Sequence, residues 1–278
     1  MRIAITGGTG TFGECCTRIL LERGHKVKVI SRGEFRQWEM GQSLKAEYCI
    51  GDTRDRERMF QLLNVDLVIH AAALKQVPVC ETQPQEAVKT EILGSQNVID
   101  ACLHHGAKLM AISTDKACKP VNLYGATKMV MEKLVTSAGY SCCRYGNVIG
   151  SRGSLIDLIR RVDKVPLTHP DMTRFWIRID DGVKWVLDMI DRMDGEIFVP
   201  KMPSMKIIDV IKAFDKDYYI TGIRPGEKLH ECLIAPEEHS KEFDNYYAIK
   251  SEYPIGIEFT SGNNKEWLTK ERLLELCS

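Results

Sequence analysis

The chain has 278 residues, 38 of them Lys or Arg and 38 Asp or Glu, so its formal charge is zero. That balance removes any global attraction to nucleic acid or to an anionic membrane, and no run approaches the apolar length needed to cross a bilayer. The length suits one large domain or two unequal ones with a substantial core. Ten cysteines include two adjacent pairs, Cys15-Cys16 and Cys142-Cys143, but no C-x-x-C spacing. They read as small buried hydrophobes in a reducing compartment rather than as a zinc cage. His104 and His105 are neighbours on a helix, diverge, and read as solvated, so no metal is expected. The N-terminus runs directly into a strand pattern with no signal-like leader, and the expectation is a soluble, cytoplasmic protein.

Short β-rich runs alternate with helical patterns through the first half. The strand candidates are Arg2–Thr6, Lys26–Ile30, Glu47–Ile50, Leu67–Ala71, Leu109–Ser113 and Ser141–Tyr145. Between them, Phe12–Glu22, Arg56–Leu63, Ala87–His104 and Ala126–Thr136 carry apolar residues at helical spacing. This alternation predicts an α/β protein with a doubly wound parallel sheet covered on both faces. Beyond residue 150 the rhythm loosens: Gly150, Gly153, Pro166, Pro170, Pro200, Pro203 and Pro225-Gly226 divide the chain into shorter pieces. The predicted division is a dinucleotide-binding domain over 1–150 and a smaller substrate-binding region over 151–278, which sends segments back into the large domain. Lys265–Cys277 reads as a terminal helix.

Directly after the first strand come Thr6-Gly7-Gly8-Thr9-Gly10-Thr11-Phe12-Gly13, with Gly7, Gly10 and Gly13 in G-x-x-G-x-x-G spacing. A residue without a side chain makes the tight turn, the second glycine admits a pyrophosphate, and the third lets helix pack on strand. The helix N-terminus adds amide donors, so Gly7, Thr9, Gly10, Thr11, Phe12 and Gly13 are the candidate phosphate cradle of a Rossmann-type sheet. The second strand ends at Ser31-Arg32, where NAD binding calls for a carboxylate. Ser31 and Arg32, helped by Arg36 and opposed by Glu34, point instead to the 2′-phosphate of NADP. Asp52, with Thr53, follows the third strand and can accept from the adenine amine. Ala71, Ala72 and Ala73 follow the fourth, where small side chains let a cofactor lie against the backbone.

Tyr124 and Lys128 are four apart on a helical pattern and share one face, so an ammonium can sit beside a phenol and favour its ionised form. With a nicotinamide ring nearby, this pair can oxidise a sugar hydroxyl. Thr114, Asp115 and Lys116 end the fifth strand. Two adjacent titratable groups of opposite tendency are what paired acid-base work requires.

With these motifs placed, the chain resembles the extended short-chain dehydrogenase/reductase family, and more narrowly the configuration-inverting UDP-N-acetylglucosamine 4,6-dehydratases that open pseudaminic-acid synthesis. The resemblance runs through Ala72 to Pro78, Ser113 to Lys116, Asn122 to Lys128, Arg144 to Val148, Met172 to Trp176, Phe198 to Lys201 and Arg224 to Lys228. It implies that Tyr124 takes the proton of the sugar 4-hydroxyl while hydride leaves C4. Lys128 binds the nicotinamide ribose and depresses the Tyr124 pKa. Lys116 removes the C5 proton, Asp115 protonates the departing 6-hydroxyl, and Thr114 assists. Lys116 must be neutral for this, its pKa lowered from ~10.4 towards ~7–8 by burial or neighbouring cations. Lys75, Thr114, Asn147, Arg224 and Glu227 are the implied substrate contacts, with Arg224 on the UDP diphosphate, and Lys75 also borders the cofactor. UDP-N-acetylglucosamine is the implied partner and a homo-oligomer the implied assembly.

Two features depart from the resemblance. Glu91 stands where relatives carry Asn, and the chain looks short before Ile223. The same scaffold also suits a UDP-sugar 4-epimerase, which has no use for Asp115-Lys116, or an inactive NADP-binding regulatory protein.

Overall fold

The computed structural model describes residues 1–277. Six strands of the first half are β1 (Arg2–Thr6), β2 (Lys26–Ser31), β3 (Glu47–Ile50), β4 (Leu67–His70), β5 (Lys108–Thr114) and β6 (Ser141–Tyr145). The remainder are β7 (Asn147–Ile149), β8 (Lys164–Leu167), β9 (Thr173–Arg178), β10 (Ile197–Pro200), β11 (Ser204–Lys206), β12 (Asp217–Ile220), β13 (Cys232–Ile234), β14 (Ser240–Glu242), β15 (Tyr246–Ile249) and β16 (Phe259–Thr260).

Nine strands form one sheet in the order β14-β15-β10-β6-β5-β4-β1-β2-β3. From β10 to β3 the pairing is parallel, and β15 and β14 close the far edge antiparallel. The central strands are apolar because both faces are covered: Ile3, Ile5, Val29, Val68, Ile69 and Met110 are buried. Helices Thr11–Glu22 and Ile179–Met189 pack on each other, and Arg56–Leu62, Gly94–His105 and Leu123–Ser137 form a second contacting group. Successive strands leave β1 in opposite directions, so a crevice opens at the carboxyl ends of β1 and β4, the position where such sheets take ligands.

All six expected strands are present to within two residues at either end. The expected helix Ala87–His104 is instead three pieces: Pro84–Val88, a π-helical turn Lys89–Leu93, and Gly94–His105. The wide turn carries Glu91 into the interior. The terminal helix begins at Lys270 rather than Lys265, because Thr269 Oγ1 accepts the Arg272 amide and the segment before it is held by a bridge between Ser204 and Trp267. His105 is not simply solvated: its Nε2 meets the Phe60 carbonyl oxygen at 2.7 Å.

A second core gathers Ile149, Ile156, Val165, Leu167, Trp176, Val210 and Leu273 around the small sheets β11-β9-β7 and β12-β8. It stands over the same crevice: Trp176 and Leu155 line one side of a cavity whose other side is the β1 turn.

Candidate active site

The β1 turn is built by backbone contact. Gly7 has φ +69°, and a methyl group there would lie 2.8 Å from the Ala71 carbonyl oxygen and the Ala72 backbone. A methyl on Gly13 would come within 2.5 Å of Gly8. The turn therefore lies flush against Ala71-Ala72, and only glycine fits either place. Gly10 caps helix Thr11–Glu22 without a side-chain acceptor, leaving its first amides directed at the crevice. These features fit a dinucleotide pyrophosphate.

The crevice is a cavity of about 900 Å3. Its wall includes Gly7, Thr9, Gly10, Thr11, Phe12 and Gly13 on the turn, then Ser31, Arg32, Asp52, Thr53, Ala71, Ala72 and Ala73 along the strand ends. Lys75, Thr114, Lys116, Tyr124, Lys128 and Asn147 complete the expected set there. Asp52 is already gripped by Arg54, whose Nε lies 2.9–3.0 Å from both carboxylate oxygens. Burial works to raise its pKa, but those bonds outweigh it and hold the carboxyl below its ordinary value. Gln37, which the sequence reading missed, donates from Nε2 to Ser31 Oγ at 3.0 Å and to the Ser31 and Cys49 carbonyls. Ser31 thus accepts from Gln37 and keeps its own proton to donate.

Three expected site residues are placed differently. Asp115 is wholly buried behind Thr114 and Lys116 and is absent from the cavity wall. Arg224 and Glu227 also lie outside the wall, paired with each other, the arginine side chain two-thirds exposed. Their loop docks on helix Leu123–Ser137 instead: Gly226 offers its carbonyl to Asn122 Nδ2 at 2.8 Å, and Asn122 caps the helix by accepting from the Gly125 amide. Gly125 is required where that helix meets the β5 end, since a methyl there would sit 2.2 Å from the Lys116 carbonyl.

The charges at the β5 end correct two expectations. Lys116 Nζ lies 2.9 Å from Asp115 Oδ1 and 3.4 Å from Glu231 Oε1. Burial acts to lower the Lys116 pKa, but the two carboxylates outweigh it and raise it. The lysine therefore rests as an ammonium rather than the neutral amine expected. Asp115 shifts upward, through burial first and then Glu231, while the Lys116 ammonium pulls the other way. Burial also works against the Glu231 anion, yet Lys116, Arg174 and Lys228 keep its pKa down. Tyr124 is likewise raised, not depressed: burial comes first, then the Glu91 and Asp115 carboxylates, while a hydrogen bond with Thr114 pulls the other way. The charge of Lys128 is spent on Glu91, 3.0 Å away.

Glu91, Glu231, Arg144 and Arg152 are site-building residues that the sequence reading left without a role. Arg144 is buried and joins two carboxylates, Glu132 on helix Leu123–Ser137 at 2.6–2.8 Å and Glu238 at 2.8–2.9 Å. Ser113 binds the same Glu132. Arg152 reaches from the loop after β7 to the Thr9 carbonyl, and its amide donates to Thr11 Oγ1 at 3.2 Å. Lys75 Nζ holds that loop through Ser151 Oγ and the Arg152 carbonyl at 2.7–2.8 Å. An arginine between glycines after Asn147 was the available signal for Arg152. Nothing local marks Glu231.

A glycine turn at the switch point of a doubly wound sheet, beside a Tyr-x-x-x-Lys helix, is the architecture of the extended short-chain dehydrogenase/reductases. The chain belongs to the polysaccharide biosynthesis protein family, whose model matches residues 3–251. It is 44% identical to UDP-N-acetylglucosamine 4,6-dehydratase (inverting) of Campylobacter jejuni subsp. jejuni serotype O:23/36 (strain 81-176), over 99% of this chain and 97% of that protein. That alignment spans 323 positions against 278 residues here, so the chain is the shorter of the two. It is 37% identical to UDP-glucose 4-epimerase of Rickettsia akari (strain Hartford), over 89% of this chain and 82% of the relative. The X-ray structure of Pen from Bacillus thuringiensis superposes with a TM-score of 0.92 at 31% identity, covering 99% of this chain and 96% of that one.

Proposed function

We propose that this protein is a lyase that converts UDP-N-acetylglucosamine to a 4-keto-6-deoxy sugar with inversion at C5, using NADP. The observation that carries the reading is the Asp115–Lys116 pair, 2.9 Å apart, with Lys116 on the same cavity wall as Tyr124 and Lys128. An epimerase needs only the second pair.

When bound, the nicotinamide accepts hydride from the sugar C4 and supplies it at C6. Tyr124 takes the proton of the 4-hydroxyl, and Lys128 steadies the ribose beside it. The resulting 4-ketone acidifies the C5 proton. Lys116 is then the base, and one internal transfer prepares it: its proton moves across 2.9 Å to Asp115. That leaves a neutral amine facing the sugar and a proton stored on buried Asp115, which passes back through Lys116 to the departing 6-hydroxyl. Burial favours this uncharged arrangement, and a sugar that displaces water from the cavity favours it further. Asn147 and Lys75 line the sugar side of the cavity and are the proposed substrate contacts.

The NADP assignment rests on Ser31, Arg32 and Arg36, which line the cavity at the end of β2. A guanidinium and a free hydroxyl donor suit a 2′-phosphate, while no carboxylate stands at the end of β2 for a 2′-hydroxyl. Cytoplasmic location and homo-oligomeric assembly belong to the same reading, the latter checked by sedimentation. No helix among the described residues is long and apolar enough to cross a membrane.

Incubation with UDP-N-acetylglucosamine in heavy water, followed by NMR, tests the proposal. The expected product is lighter by one water and carries deuterium at C5 with inverted configuration. An isomer of unchanged mass would establish the epimerase instead. Lys116→Ala is expected to bind cofactor yet neither dehydrate nor exchange at C5; full activity in that variant overturns the assignment. Tighter binding of NAD than of NADP would remove Arg32 from its role.

A further inference from the structure

Glu91 and Lys128 form an ion pair sealed from solvent, their side chains 0% and 3% exposed and Oε2 3.0 Å from Nζ. The π-helical turn Lys89–Leu93 delivers the carboxylate, and Oε1 accepts the Leu74 amide at 2.5 Å, tying the segment after β4 to the catalytic helix. Lys128 has a second partner in the Ile112 carbonyl at 3.1 Å. Oε2 has no partner other than this ammonium among the described residues, so Lys128 is its sole counter-charge. Burying a carboxylate is costly unless it is paired, and π turns concentrate at working sites.

Given the oxidation step proposed for Tyr124, we infer that Glu91 is its positioning residue: by neutralising Lys128 it keeps the neighbouring phenol protonated and moves the onset of hydroxyl oxidation to higher pH. Lys128 can assist Tyr124 only to the extent that its charge is not already balanced. The other groups facing the corner leave Glu91 as the controlling charge. His70, at the end of β4, is fully buried, and burial first and Lys128 second depress its pKa to about 3, so it stays neutral. Cys80, from helix Val77–Thr82, is raised to about 11 by burial and then by Glu91 and Glu81, and stays a thiol. Tyr145 at the end of β6 is buried and uncharged. Asp115 is the one further carboxylate acting on Tyr124, and it stands second to Glu91. Glu91 is absent from the cavity wall, which Lys128 lines, and acts through Lys128.

The test uses UDP-6-deoxy-N-acetylglucosamine, which has no 6-hydroxyl to lose, so only the C4 oxidation runs. Formation of reduced nicotinamide in a single turnover is followed against pH with the holoenzyme. Glu91→Gln removes the charge and keeps an oxygen for the Leu74 amide; its onset is expected about one pH unit lower. Glu91→Asp keeps the charge and is expected to keep the onset. An unmoved onset in Glu91→Gln means a purely structural residue and overturns the inference. Should the native protein fail to oxidise the probe, the oxidation reading falls, and Glu91 is judged separately by ultraviolet titration of Tyr124. That titration is the difference between each protein and its Tyr124→Phe counterpart. Ionisation at lower pH in Glu91→Gln supports the inference and equal ionisation overturns it. Glu91→Asn carries the same expectations if Glu91→Gln does not fold.

Discussion

At the β1 turn, backbone rests on backbone: Gly7 on Ala71-Ala72, and Gly13 on Gly8. At the end of β5, shape is held by charges: Asp115 and Lys116 with Glu231, Lys128 with Glu91, Arg144 with Glu132 and Glu238. The first region is rigid because nothing larger than hydrogen fits. The second is rigid only while every charge has its counterpart, since a buried charge stripped of its partner is far costlier than the pair. The difference teaches where each region fails: the floor to added volume, the wall to removed charge.

Removing the buried arginine that joins two of those carboxylates is the strongest way to break the charged region. Arg144→Ala leaves Glu132 and Glu238 without their cation and is expected to cost about 3–5 kcal/mol, read from urea unfolding midpoints. Burial would raise the Glu238 pKa, but Arg144 holds it below its ordinary value. Its contribution is therefore complete above the ordinary Glu range and lost as pH falls through the lowered folded value. Arg144→Ala should flatten that acid-side decline. A variant within 1 kcal/mol of native at all pH values, by the scale of ordinary surface substitutions, would show that the triad carries no load.

Gly13→Ala tests the floor. Its methyl meets Gly8 at 2.5 Å, and overpacking of this kind costs about 1–3 kcal/mol. The expected loss falls on cofactor affinity, about tenfold or more by equilibrium titration, with Lys116 and Tyr124 chemistry unchanged once cofactor saturates.

Glu231→Gln sharpens the contrast within the wall. Without that carboxylate, Arg174 and Lys228 are no longer balanced against Lys116, which gives up its proton more easily. The onset of deuterium exchange at C5 should move to lower pH by about one unit, equivalent to about 1.4 kcal/mol. The oxidation onset governed by Glu91 should stay in place. A shift of both together would mean that the two lysines titrate as one system.

Arg224→Ala carries the smallest expected effect. Its pair with Glu227 is exposed, so stability should change by no more than about 0.5 kcal/mol and KM for the nucleotide sugar by less than about threefold. A tenfold rise in KM would bring the loop Arg224–Lys228 to the substrate.

The contrast also explains what the sequence disclosed. Strand order and the glycine turn follow from local rules, so β1 to β6 and Gly7, Gly10 and Gly13 were legible residue by residue. Tyr124 and Lys128 were legible because helical spacing alone puts them on one face. Protonation states were not, because they depend on carboxylates far off in the chain: Glu231 lies 115 positions beyond Lys116, and Glu91 reaches Lys128 only through a π turn that periodicity reads as plain α-helix. The placing of Arg224 was hidden for a related reason. A guanidinium suited to diphosphate is visible in the sequence, but its pairing with Glu227 and the docking of Gly226 on Asn122 are not.

The large sheet takes its last three strands from the end of the chain: β10 beside β6, then β15 and β14. During synthesis the outer edge of β6 therefore stays unpaired while the whole stretch from β7 to β9 is made, and the edge of β10 waits until Tyr246–Ile249 emerges. An open parallel edge is a template for association with other nascent chains. A ribosome-bound intermediate truncated before Ile197 should be aggregation-prone, and one extended past Ile249 should not.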